Sequence, residues 1–292
     1  MVRRVEARDA YRPPPAREPA PLSRRALLRL RFSAQARAEI DYDGVTERVR
    51  AGWEAADGRV EQLLRALEPA ARAAVELAGV EPGERVLDAG AGDGNVAMAC
   101  AERGAEVDAC DLAGAMVARG SARCRERVRW TQADVQELPY HDGTFDVVVS
   151  AFGAALAPRA RRTAHELARV LRPGGRLVLA AWAPRGLPGR LDEHVALPDG
   201  VRAPTDWADE ETARRRFEPV LEGLERRSRT VALAFPDVDA MFDALTLPLG
   251  LPAGRRAALR PAFERLLAAQ SNRPPEAEID ARYVLYAGRR PA

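Results

Sequence analysis

The stretch Val86-Leu87-Asp88-Ala89-Gly90-Ala91-Gly92-Asp93-Gly94-Asn95 limits what this chain can fold into more than any other. An apolar strand here runs at once into a glycine-rich loop, and Val96 to Arg103 then follows with helical spacing. A strand that turns directly into a helix needs glycine where φ is positive and where the backbone must touch a ligand. In a doubly wound sheet such a turn lies at the carboxyl edge of the strands, where ligands bind.

The residues downstream repeat the pattern. Ala105 to Cys110, Val128 to Thr131, Phe145 to Ser150 and Arg176 to Trp182 read as strands, and Ala113 to Cys124 and Arg159 to Leu171 as helices. The last of these helices is expected to stop at Pro173-Gly174-Gly175. Phe145 to Ser150 is an unbroken apolar run, as expected of a central parallel strand buried on both faces. Strands alternating with helices imply right-handed βαβ units and a parallel sheet covered on both sides. Two later strands, Arg229 to Phe235 and Ala281 to Ala287, flank helical segments from about Val238 to Gln270 and would complete the sheet. The expected fold is therefore α/β: a Rossmann-like, seven-stranded, mostly parallel sheet with helices on both faces and an N-terminal helical extension.

Ahead of the glycine loop, residues 34–78 read as helices, with Val60, Leu63, Leu64 and Leu67 at helical spacing and Pro69 forcing a restart. Before them, the segment from Arg3 to Arg31 is basic, carries Pro13-Pro14-Pro15 and lacks apolar periodicity before Leu22. It is expected to be a disordered tail. The domain reading is a tail over residues 1–33, a helical lid over 34–80 and the Rossmann-like domain over 81–292, with residues 183–280 forming an acceptor-side insert and closing strands.

Ser23-Arg24-Arg25-Ala26-Leu27-Leu28 superficially resembles a twin-arginine signal, but Arg29-Leu30-Arg31-Phe32 follows where an apolar stretch is required. No apolar run approaches the ~20 residues of a membrane span. The three cysteines, Cys100, Cys110 and Cys124, show neither metal-type spacing nor an even count for a disulfide framework. A cytoplasmic protein without a metal is the expectation. The chain has no lysine, so every basic residue is arginine, and the formal net charge is +2. Such a bias is compositional, so the arginine count is weak evidence for nucleic acid as the partner; a small molecule is expected, with an RNA-binding enzyme using the arginine-rich tail ranked last.

Three details point to the ligand. The loop spacing is G-x-G-x-G, whereas the dinucleotide fingerprint is G-x-G-x-x-G. Asp88 stands two residues before the first glycine, where a pyrophosphate would be repelled and a cationic amino acid tolerated. Asp111 ends the second strand, placed to accept a ribose hydroxyl, and Asp134 follows the third, placed to accept from an exocyclic adenine amine. A nucleoside joined to a cationic amino acid fits, which is S-adenosylmethionine (SAM). An NAD(P)-dependent oxidoreductase and a SAM-binding protein without transfer activity are the alternative readings.

The segments Val86 to Gly120, Gln132 to Pro139, Phe145 to Ser150 and Arg169-Val170-Leu171-Arg172-Pro173-Gly174-Gly175 resemble class I SAM-dependent methyltransferases of the ubiquinone/menaquinone-biosynthesis type. The resemblance covers roughly residues 70 to 183. It implies that Asp88 with Gly90, Gly92 and Gly94 holds the methionine end of SAM. Asp111 would hold the ribose, Asp134 and the Val135 amide would read the adenine, Met116 would pack beside it, and Leu112 and Ser150 would complete the set. The chain reads Ser150-Ala151-Phe152-Gly153 after the fourth strand rather than Asn/Asp-Pro-Pro-Tyr, which disfavours methylation of adenine bases or glutamine amides. The implied activity is methyl transfer to oxygen, nitrogen or carbon of a small molecule by in-line displacement, which needs alignment more than a general base. His141 is expected in a turn and His165 on a helix surface, leaving His194 as a weak catalytic candidate. Tyr42, Trp53, Phe152 and the region from Trp182 to Trp207 are candidate acceptor walls.

Overall fold

The computed structural model describes residues 41–195, 201, 203–270 and 277–292. The expected basic tail, the first residues of the helical extension and part of the Trp182–Trp207 region lie outside them.

Among the described residues three α-helices lead in: α1 (Tyr42–Ala56), α2 (Glu61–Ala66) and α3 (Glu68–Ala78). Asp41 caps α1 by accepting the Gly44 amide. Pro69 falls in the first turn of α3, where a missing N–H costs nothing, and Gly79 closes that helix in the left-handed conformation. The buried face of α3 is Ala70, Ala71, Ala74, Val75 and Ala78, small side chains that let the helix lie close against the sheet.

The Rossmann-like part then alternates as the sequence implies: β1 (Arg85–Ala89), α4 (Asn95–Glu102), β2 (Glu106–Asp111), α5 (Gly114–Cys124), β3 (Val128–Gln132), β4 (Phe145–Ala151), α6 (Ala160–Arg169) and β5 (Leu171–Trp182). After α7 (Leu187–Leu191) and α8 (Glu210–Phe217) come β6 (Glu222–Phe235), α9 (Val238–Thr246), α10 (Ala253–Gln270) and β7 (Ala277–Arg289). The sheet order is β3-β2-β1-β4-β5-β7-β6. β1 through β5 pair in parallel, whereas β7 runs antiparallel to both β5 and β6. The strand order reverses between β1 and β4, and at such a switch point the carboxyl ends open a crevice.

Alternation along β4 divides the core. Val147 and Val149 face a layer containing α3, α4 and α10, while Val148 faces one containing α6 and α8. All three valines are fully buried, which is why the strand reads as an unbroken apolar run.

Several boundaries differ from the sequence expectation, among them β7, which runs Ala277–Arg289 rather than Ala281–Ala287. Helix α6 ends at Arg169, and Leu171 already pairs with Phe145 of β4. Pro173-Gly174-Gly175 therefore does not stop the helix. It forms a bulge across which the pairing jumps from Phe145–Leu171 to Val147–Arg176. The helix ends where the Arg169 and Val170 carbonyls accept from the Gly143 and Phe145 amides, so the chain is already paired with the start of β4, and the Arg169 side chain fastens this last turn to the Leu138 and Tyr140 carbonyls. Strand β6 begins at Glu222, well before Arg229, because its first half is exposed and carries no apolar alternation to mark it.

Candidate functional site

The site grows from the turns that leave the parallel strands. After β1 the chain turns at Gly90, whose φ is +72°. A Cβ there would stand 2.9 Å from the Gly153 Cα, so the loops after β1 and β4 touch backbone to backbone. The Gly90 and Ala91 amides both donate to the Cys110 carbonyl, tying the loop to the end of β2. Gly94, at +92°, starts α4; a Cβ on it would stand 2.9 Å from Cys124 Sγ and from the Trp130 ring, so this glycine packs a helix against the sheet rather than facing the loop's open side.

Asp111, at the end of β2, is almost fully buried. Its Oδ2 accepts from the Gly92 amide at 2.8 Å and its Oδ1 from the Ala113 amide at 3.0 Å. Burial pushes its pKa up to about 6 against the pull of these amides, and Glu54 adds to the rise. Asp134, in the turn after β3, accepts from the Gln136 amide on Oδ1 and from Gln136 Nε2 on Oδ2, each at 2.8 Å.

Around these groups lies a cleft enclosing about 1480 Å³, its open mouth included. One wall is polar: Gly90, Ala91, Gly92 and Asn95 from the first turn, then Asp111, Leu112, Asp134, Val135 and Gln136. The opposite walls are apolar. They come from α1 (Val49, Trp53), α2 (Leu63, Leu64), the loop after β4 (Phe152, Leu156, Pro158), Trp182 with Pro188 and Leu191, and the end of α9 with the turn after it (Leu245, Pro248, Leu249). Phe152 stacks on Trp182 with ring centroids 4.3 Å apart and meets Tyr283 edge-on at 5.6 Å.

Of the residues singled out in the sequence, Gly90, Gly92, Asp111, Leu112, Asp134 and Val135 line this cleft together. The others lie behind it. Asp88 is buried beneath the loop, where Oδ2 accepts the Ala97 amide in the first turn of α4 at 2.9 Å, and burial raises its pKa to about 8. Met116 packs among Ala56, Val60, Leu64 and Ala113. Ser150 donates to the Ala89 carbonyl at 2.6 Å and accepts from the Ala154 amide at 3.0 Å, fastening the end of β4 to β1. His194 is exposed and lines a separate hollow with Leu251, Arg255 and Leu259; it is not on the cleft wall. His141 and His165 are exposed. Trp53, Phe152 and Trp182 reach the cleft, whereas Trp207 is buried against Phe217 and Tyr42 lies under the Arg159 guanidinium.

Three participants escaped the sequence reading. Glu54 of α1 accepts the Gly114 and Ala115 amides at 2.7 and 3.1 Å, capping α5 from another helix. Asn95 donates from Nδ2 to the Leu64 carbonyl at 2.6 Å, joining the glycine loop to α2. Gln136 bonds Asp134 and also Thr46 of α1. Each pairs residues far apart in the chain, and no local pattern announces them.

A family model described as a methyltransferase domain matches residues 86–175. An uncharacterized protein of Mycobacterium tuberculosis is 36% identical over 175 residues, covering 57% of this chain and 63% of that protein. The chain thus spans less than two thirds of that relative's length. A demethylmenaquinone methyltransferase of Clavibacter sepedonicus is 30% identical over 206 residues, covering 62% of this chain and 78% of that protein. The chain belongs to the class I SAM-dependent methyltransferases of the ubiquinone/menaquinone-biosynthesis type. A solved structure sharing the fold is the YcgJ protein of Bacillus subtilis, with a TM-score of 0.54 and 21% identity over 75% of this chain and 96% of that one.

The donor molecule of a class I methyltransferase, SAM, fits the polar wall. Its two carboxylates, Asp111 and Asp134, suit hydroxyl and amine donors.

Proposed function

We propose that this chain binds SAM along the polar wall and transfers its methyl group to an apolar small molecule held against the opposite walls. The observation that carries this reading is the juxtaposition of two backbone-anchored carboxylates, Asp111 and Asp134, with an apolar chamber opening from the same glycine loop.

When bound, SAM supplies a methyl group on a positively charged sulfur, activated for displacement without help from the protein. The chain's own residues then have three tasks. Asp111 accepts the ribose hydroxyls, and the Asp134 carboxylate with the Val135 amide takes the adenine edge. The backbone of Gly90 and Gly92 lies against the methionine end, with Asp88 holding the loop to α4 from behind. Trp53, Phe152, Trp182, Leu245 and Leu249 exclude water and align an acceptor, and such proximity effects alone contribute about 7–11 kcal/mol in well-oriented systems. The acceptor atom, oxygen, nitrogen or carbon, is set by the shape of this apolar side.

Calorimetric titration with SAM tests the reading. Saturable binding is expected, weakened about tenfold to a hundredfold in Asp111→Ala, the effect of removing hydrogen bonds to a charged acceptor. Heat with NADH and none with SAM would sink it. SAM binding with no turnover across an acceptor panel would leave a SAM-binding protein without transfer activity.

A further inference from the structure

Gln136 is a polar side chain only 2% exposed, and both its amide hydrogens and its amide oxygen are engaged. Its Nε2 donates to Asp134 Oδ2 at 2.8 Å and to Thr46 Oγ1 at 3.1 Å, while Oε1 accepts the Arg159 amide at 2.9 Å. Its backbone N–H donates to Asp134 Oδ1 at 2.8 Å, and its carbonyl accepts from Arg162 Nε at 2.7 Å. The amide cannot be flipped. Reversal would set Nε2 against the Arg159 N–H and Oε1 against a carboxylate, replacing two attractions with two repulsions.

This arrangement has a consequence for Asp134. A carboxylate has about four acceptor positions, and Gln136 takes one on each oxygen, so the carboxylate has a fixed plane. The remaining positions belong to whatever donor approaches along the cleft wall that Asp134 lines. A free carboxylate could rotate to offer either edge or admit a water; this one is presented in a single orientation. Thr46 Oγ1 in turn donates to the Tyr42 carbonyl in the first turn of α1, so the same amide ties α1 to the turn after β3.

We infer that Gln136 is the positioning residue that makes the cleft select an amine-bearing purine, adenine over hypoxanthine, by holding the Asp134 carboxylate in the orientation that accepts an exocyclic N–H. Gln136 acts through Asp134. The inference rests on the reading that the nucleoside of SAM lies along the polar wall.

The test compares two ligands by calorimetry: S-adenosylhomocysteine and its inosine analogue, in which a carbonyl oxygen replaces the exocyclic amine. The wild-type chain is expected to prefer the adenine ligand by about tenfold or more, the scale of a hydrogen bond to a charged group. Gln136→Met, which keeps the volume and removes the amide, is expected to reduce that preference to about threefold or less. Thr46→Val, which removes one of the bonds fixing the amide and leaves Asp134 its partner, is expected to lower it by a smaller factor. It serves as the reporter if Gln136→Met does not fold. Equal weakening of both ligands with the preference intact would show Gln136 to be merely structural and overturn the inference. So would an unchanged preference in Thr46→Val should Gln136→Met not fold. No preference in the wild-type chain, or no binding of S-adenosylhomocysteine, would instead overturn the donor-site reading beneath it.

Discussion

The two sides of the cleft are made from different materials. The polar side consists of consecutive strand-to-helix turns, Gly90–Asn95, Asp111–Ala113 and Asp134–Gln136, and its polar atoms are held chiefly by backbone amides. The apolar side consists of side chains drawn from α1, α2, the stretch from Trp182 to Leu191 and the turn after α9, which are remote from one another in the chain. The family model matches residues 86–175, which span the polar turns and leave out α1, α2 and the turn after α9. A site whose geometry is fixed by backbone hydrogen bonds keeps its shape through most side-chain changes. A wall of apolar side chains takes its shape from each of them, so this is the side on which one fold can be fitted to many acceptors.

If this division holds, substitutions on the two sides should separate in what they change. The largest effect is expected where the sides share a backbone contact. A Cβ at Gly153 would lie 2.3 Å from the Gly90 carbonyl oxygen, so Gly153→Ala must push the two loops apart. A cost of about 1–3 kcal/mol in stability is expected, seen by thermal melting, together with loss of SAM affinity by calorimetry. Unchanged SAM binding in this variant would show that the loops are not one unit.

A pH effect is expected on the polar side. Asp88 has its pKa raised from the ordinary 3.8 to about 8 by burial. The folded state therefore binds a proton that the unfolded state has released between those values. Stability from this group is full below about pH 4 and falls as pH rises towards about 8. Asp88→Asn keeps an oxygen for the Ala97 amide and cannot ionise. Its melting temperature should decline less over that range and should exceed that of the wild-type chain near pH 8. Parallel declines in the two proteins would place the pH sensitivity elsewhere.

On the apolar side, Trp182→Leu removes the partner that Phe152 stacks on. SAM affinity should remain within about twofold, while KM for an acceptor should rise by roughly twofold to tenfold, the worth of an aromatic pair. A large loss of SAM binding would mean that the sides are not separable. The smallest effect is expected at His194. Lying off the cleft wall, it should leave kcat and KM unchanged in His194→Gln; a fall in kcat would return it to the chemistry.

Much of the architecture is local, and for that reason it was legible in the chain. Strand periods, the glycine loop and the acidic residues at the ends of β2 and β3 depend on neighbours within a turn, so the sheet, its parallel portion and the positions of Asp111 and Asp134 could be read directly. The bounds of α6 and β6 could not, because backbone pairing of Arg169 and Val170 with Gly143 and Phe145 ended one and an exposed edge concealed the start of the other. Nor could the sequence say which acidic or polar residues line the cleft. Asp88 and Asp111 look alike in the chain, yet one is turned beneath the loop to meet α4 and the other stands on the cleft wall. Gln136 meets Thr46 across 90 residues, and Glu54 meets Gly114 across 60. Backbone conformation is set by short-range sterics and patterning, which a sequence displays. The pairing of distant side chains is set by how helices settle on the sheet, and that packing exists only in the folded chain.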